Sequence, residues 1–110
     1  MRILSALALG ALALGGCATT GDPALLGTME NPVRVNMPSG ERAYLDRLRC
    51  ADGSAPAYNR LGSGGFARDG HIVDIYDVTC AGQEPVRVIM DMYHNGSEDL
   101  PVPGFTIVDG

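Results

Sequence analysis

The sequence predicts an α+β fold: a small antiparallel sheet built on a long β-hairpin over about 71–94, with one short helix over about 40–49 and one disulfide stapling the two. Three observations lead there. Two ten-residue arms, HIVDIYDVTC and PVRVIMDMYH, are rich in Ile, Val and Tyr, and the short link AGQE between them carries Gly82. Upstream, the segment Glu41 to Cys50 puts Tyr44, Leu45 and Leu48 on one face at helical spacing. Two cysteines, Cys50 and Cys80, end the helical segment and the first arm. The 110 residues suffice for one small domain and exclude a multidomain enzyme.

The chain opens MRILSALALGALALGGCATT, in which Arg2 is a positive leader and Ile3 to Leu14 an apolar run of twelve. At about 1.5 Å per residue that run spans roughly 18 Å, too short for a bilayer core of about 30 Å and suited to a signal-peptide core. A buried core helix is the alternative, but Gly10, Gly15 and Gly16 weaken it. The tetrapeptide Leu14-Gly15-Gly16-Cys17 resembles the lipobox of bacterial lipoproteins. The resemblance implies a diacylglyceryl thioether on Cys17, cleavage before it, and acylation of the new amino group. Two or three acyl chains anchor stably where one does not. Ala18 in the following position implies, by the same resemblance, sorting to the outer membrane with the body facing the periplasm.

The expected organisation is therefore a signal peptide over 1–16, a lipidated N-terminus and flexible tether over 17–32, and a globular domain over 33–110. The tether reading rests on ATTGDPALLGTMENP, a mixture of Thr, Gly and Pro without sustained period, in which Leu25 and Leu26 could dock on the body. In the body, Pro32 to Asn36 alternates as a short strand and Met37 to Gly40 reads as a turn. Ser39 is the expected N-cap and Glu41 lies in the expected first turn of the helix. A strand is the alternative for that segment, but Asp46 breaks its alternation. Residues 51–70 read as loop. Gly62, Gly64 and Gly65 lack the following Lys-Ser/Thr of a phosphate-binding loop, so flexibility is the expected role. Phe105 to Val108 reads as a short final edge strand.

The hairpin register follows from charge. A three-residue loop over 81–83 pairs the apolar even positions, Ile72, Tyr76, Val78 and Cys80 with Val86, Val88, Met90 and Met92, and sets Asp77 opposite Arg87. A two- or four-residue loop sets Asp74 against Asp91, a like-charge cross-strand pair. With Cys17 reserved for lipid, Cys50 and Cys80 form an even pair in an oxidising compartment, so a disulfide is expected. There is no CxxC, and its expected role is structural.

Composition narrows function. The net charge is −5, every basic residue is Arg, and no basic stripe or polybasic cluster occurs, which argues against nucleic acid as a partner and against purely electrostatic lipid binding. No GxSxG elbow or HExxH motif is present, so no catalytic residue is assigned and no cofactor is expected. His71 and His94 fall at the open end of the hairpin with Asp74 and Asp91 nearby in sequence, and are the residues that a divalent metal would use. Strand ends commonly carry solvated histidines, however, and without ligand spacing in the sequence that is the favoured reading and no metal site is assigned. Asp74, on the apolar face, needs a buried partner, for which Arg47 or Arg49 is expected. The expected function is a non-enzymatic, lipid-anchored envelope protein, similar to the small lipoproteins of bacterial cell envelopes, binding or supporting another envelope component. A second reading is a periplasmic inhibitor or accessory factor: Ser63 to Arg68 resembles the Ser-Gly loop of periplasmic lysozyme inhibitors, although no residue role carries over. A hydrolase has the least support.

Overall fold

In the computed structural model, which describes residues 21–110, the chain forms a four-stranded, mostly antiparallel sheet with one helix packed on it. In chain order, after a single 3₁₀ turn over Pro23–Leu25, the elements are β1 (Val33–Arg34), α1 (Met37–Arg47), β2 (Leu48–Arg49), β3 (Ala57–Phe66), β4 (Ile72–Thr79), β5 (Val86–Asp91) and β6 (Thr106–Ile107). The large sheet runs β1-β5-β4-β3, with β1 parallel to β5, and β2 pairs β6 in a separate ribbon. Residues 1–20 lie outside the described residues, and with them the signal peptide and the lipobox cysteine Cys17.

The β4–β5 hairpin takes the charge-selected register. Asp77 stands opposite Arg87, Tyr76 opposite Val88 and Asp74 opposite Met90. Period-2 alternation then turns Tyr76, Val78, Val88 and Met90 to one face, where they meet Tyr44, Leu45 and Leu48. Val73 and Ile89 form a smaller cluster with Ala67. The Cys50–Cys80 disulfide is present, with Cα atoms 6.0 Å apart, and ties the segment after β2 to the end of β4.

The helix runs Met37–Arg47 rather than about 40–49, because the first turn begins where a separate turn was expected. Asn36, not Ser39, holds the N-cap position and makes no side-chain cap bond; Pro38 stands in the first turn, where its missing N–H costs nothing. Glu41 is consequently not a first-turn acid. It shares the buried stripe of Tyr44, Leu45 and Leu48 and is 1% exposed.

The loop reading of 51–70 is corrected by β3, a ten-residue edge strand paired to β4. Its signal was hidden because both faces are largely exposed and two register shifts, between Arg60 and Gly62 and between Ser63 and Phe66, break the alternation. Gly64 is required by close approach: a Cβ there would lie 2.5 Å from Ile75 Cδ1. Gly62, at φ 144°, sits at the first shift. The part of the expected tether that is described packs on the body, with Leu26 buried in the core and Asn31 Nδ2 donating to the Asp22 carbonyl at 2.8 Å. The tail closes the fold through Tyr44, whose hydroxyl donates to Leu100 O and accepts from Val102 N–H.

Asp74 finds Arg60 at 2.9 Å, not Arg47 or Arg49. Arg47 instead donates to the carbonyls of Val108 and Glu98, and Arg49 to those of Asp46 and Leu48. Glu41 lies beside Asp74, and Tyr76 donates to its Oε1 at 3.2 Å, while its buried Oε2 has no hydrogen-bond partner. Burial first, and then the Asp74 carboxylate, push the Glu41 carboxyl up to about 8, so it stays protonated at neutral pH.

Two outcomes follow from this packing. Replacing both Cys50 and Cys80 by Ser opens a loop closed across a separation of 30 residues. It should cost about 3–4 kcal/mol of stability in denaturant titrations. Two reactive thiols in the unfolded, unreduced protein would show that the bridge does not form. The raised Glu41 pKa means that the folded state holds a proton the unfolded chain releases near pH 4.5, so stability should fall as pH rises from about 4.5 to 8 and then level off. Glu41→Gln keeps the shape without the ionisation, and at pH 8 should be about 2–4 kcal/mol more stable than the parent. Equal pH dependence of the two proteins would count against the buried acid pair.

Candidate metal centre

At the open end of the hairpin, four side chains converge: Asp69, His71, Asp91 and His94. Three pieces of backbone bring them together. Asp69 and His71 sit in the turn between β3 and β4, Asp91 ends β5, and His94 follows as the chain leaves the sheet, its N–H donating to Val35 O. One donor atom from each side chain lies within 4.8 Å of all the others.

The geometry is specific. Asp91 Oδ2 lies 2.9 Å from His71 Nδ1 and 2.8 Å from His94 Nε2. Asp69 Oδ2 lies 3.3 Å from His71 Nδ1 and 3.1 Å from His94 Nε2. Each imidazole nitrogen thus faces the same two carboxylate oxygens. Four ligands about 2.0–2.1 Å from a central tetrahedral ion stand about 3.3 Å from one another, so these four edges approach those of a zinc-sized tetrahedron.

Both carboxylates are held in place by their other oxygen. Asp91 Oδ1 accepts from the Tyr93 N–H at 3.0 Å, and Asp69 Oδ1 accepts from the His71 N–H at 3.1 Å. The remaining oxygen of each faces both histidines, as backbone-anchored ligands do in preformed sites, and Asp91 Oδ1 also lies 3.2 Å from His71 Nδ1. Asp91 is 1% exposed, and a carboxylate so deeply buried requires cationic or donor partners. Asp69 is more open. Partial burial works to raise its carboxyl, but the His71 N–H, Asp91 and the two imidazoles outweigh that and hold it below the usual carboxylate range.

Sequence reasoning named His71, His94 and Asp91 and missed Asp69. It also set Asp74 near the histidines, and the structure separates it from them. Asp74 stands opposite Met90 in the register, one residue out of phase with Asp91, and turns towards Arg60 and Glu41. The available signal for Asp69 was the dipeptide Asp69-Gly70 immediately before the first arm, a turn sequence whose aspartate bonds the N–H two residues on.

The cluster borders an apolar rim. Tyr93 packs edge-on against the His71 ring at 5.6 Å, and a shallow cavity of about 290 Å³ is lined by Phe66, His71, Ile72 and Tyr93. Compared with family models, curated proteins and solved structures, the chain matches none.

Proposed function

We propose that the chain is a lipid-anchored cell-envelope protein, on the outer membrane with its body facing the periplasm, whose folded domain is a non-enzymatic binding module for a divalent transition-metal ion. The convergence of Asp69, His71, Asp91 and His94 carries the metal reading. Two nitrogen and two oxygen donors suit zinc or its neighbours in the transition series, whereas calcium and magnesium favour six or more oxygen ligands. Two carboxylates also balance the charge of one divalent ion. Four protein donors fill a tetrahedral shell and leave no position for a reacting water, which favours holding the ion over catalysis with it. The anchor reading rests on the lipobox-like Leu14-Gly15-Gly16-Cys17, and the Cys50–Cys80 bridge suits an oxidising compartment.

Zinc at about a hundred times its dissociation constant should stabilise the folded protein by about 2.7 kcal/mol, which raises Tm by roughly 10 °C or more in a body of this size. His71→Ala and His94→Ala should abolish that rise, while Asp77→Asn, in the exposed pair with Arg87, should retain it. A zinc-induced rise that survives in the His71→Ala/His94→Ala double variant would overturn the assignment.

Cys17→Ala should move the protein from the membrane fraction to the soluble fraction, or leave an uncleaved precursor. Unchanged membrane association of a correctly cleaved variant would remove the lipid anchor from the proposal.

A further inference from the structure

From the chain length left between the anchor and the folded body, we infer that the end of the domain carrying Phe66, Ile72 and Tyr93 rests on the bilayer surface, with Arg34 and Arg68 against lipid phosphates. The inference rests on the lipid-anchor reading above. Asp22 is fixed to the body, since Asn31 Nδ2 donates to its carbonyl and the next residues run into the buried Leu26. Only four residues lie between it and Cys17, which makes five Cα-to-Cα steps. At no more than about 3.6 Å each, the steps reach roughly 18 Å at full extension. A lipid on Cys17 therefore holds the body against the headgroups instead of letting it stand off.

Which side faces the membrane follows from what surrounds the attachment point. Gly21 lines one cavity of about 210 Å³ together with Arg34, Arg68 and Asp69, and another of about 260 Å³ together with Arg34, Glu98 and Leu100. Residues 67–71 form the short turn between β3 and β4, whose flanking residues Phe66 and Ile72 are cross-strand partners. Phe66 is 68% exposed, and Ile72 and Tyr93 are exposed beside it. An aromatic and aliphatic cluster flanked by Arg is the composition that settles at a membrane–water interface, where rings enter the headgroup level and guanidinium groups bind phosphate in bidentate fashion. Of the carboxylates here, Asp69 and Asp91 are engaged by His71 and His94, while Glu30 lines the cavity with the two arginines and Glu98 lines the other cavity with Arg34. Arg34, half-buried, donates through Nη1 to Asn31 Oδ1 and Pro32 O, and Arg68 is exposed. The opposite end, the hairpin turn around Gln83, lies eight residues along the chain from Asp91, roughly 25 Å away at strand rise.

The chain contains no Trp, so a single introduced Trp reports its own surroundings. The lipidated protein is reconstituted in phosphatidylethanolamine/phosphatidylglycerol vesicles whose acyl chains carry bromine, a short-range quencher. Phe66→Trp should lose about half of its emission or more, relative to unbrominated vesicles, while Gln83→Trp should lose almost none. Phe66→Trp in an Arg34→Glu/Arg68→Glu background should be quenched less. Protein that floats with the vesicles yet shows no quenching at position 66, or stronger quenching at position 83, overturns the docked orientation and leaves the anchor intact. Protein that does not float with the vesicles removes the anchor, and the docked face with it.

Discussion

Everything in this domain depends on the phase of the β4–β5 pairing. Because side chains alternate across a strand, a slip of one residue would carry every apolar contact to the wrong face. The observed phase sends Tyr76, Val78, Val88 and Met90 beneath α1, and leaves Asp77 and Arg87 to pair on the exposed side. It also sorts the carboxylates. Asp74 goes to the helix face, where it meets Arg60 and the protonated Glu41, and Asp91 goes to the end of β5, where it meets two histidines. One register thus separates a buried acid pair from a candidate metal centre only a few residues away.

What was legible in the sequence had strong local periodicity. The two hairpin arms declare themselves through β-branched residues in alternation, and α1 through the spacing of Tyr44, Leu45 and Leu48. The disulfide was legible through cysteine arithmetic. The hidden parts are those whose role is settled by distant contacts. β3 is half-solvated and interrupted by glycines, so no window of its sequence shows a two-residue period. The start of α1 is displaced because Met37 takes φ 63°, an unusual conformation for a non-glycine residue, while its N–H donates to Met92 O at 2.7 Å. That bond to a strand distant in sequence leaves no trace in the local pattern.

The candidate site was half legible for a related reason. His71 and His94 stand out because the chain has only two histidines and both bracket the hairpin. Choosing between Asp74 and Asp91 required carrying the register through to each carboxylate's face. Asp69 required knowing that its turn folds back over the end of β5, which depends on the three-dimensional path of the β3–β4 connection. Glu41 shows the same limit in reverse. A glutamate early in a helix reads as a favourable charge near the positive end of the dipole, and only the packed sheet turns it into a buried, protonated acid.

The irregularity of β3 has a further consequence wherever copies of the domain crowd together. A ten-residue strand at the margin of a sheet would ordinarily offer a ladder of unpaired amides for neighbouring copies to extend. The two register shifts bend this strand and put its outward groups out of step, so a second straight strand finds no continuous run of partners. Arg60, held at its centre by Asp74, adds a charge that neighbouring copies would have to desolvate together. The glycines that conceal the strand in the sequence thus also keep adjacent molecules from zipping into a common sheet.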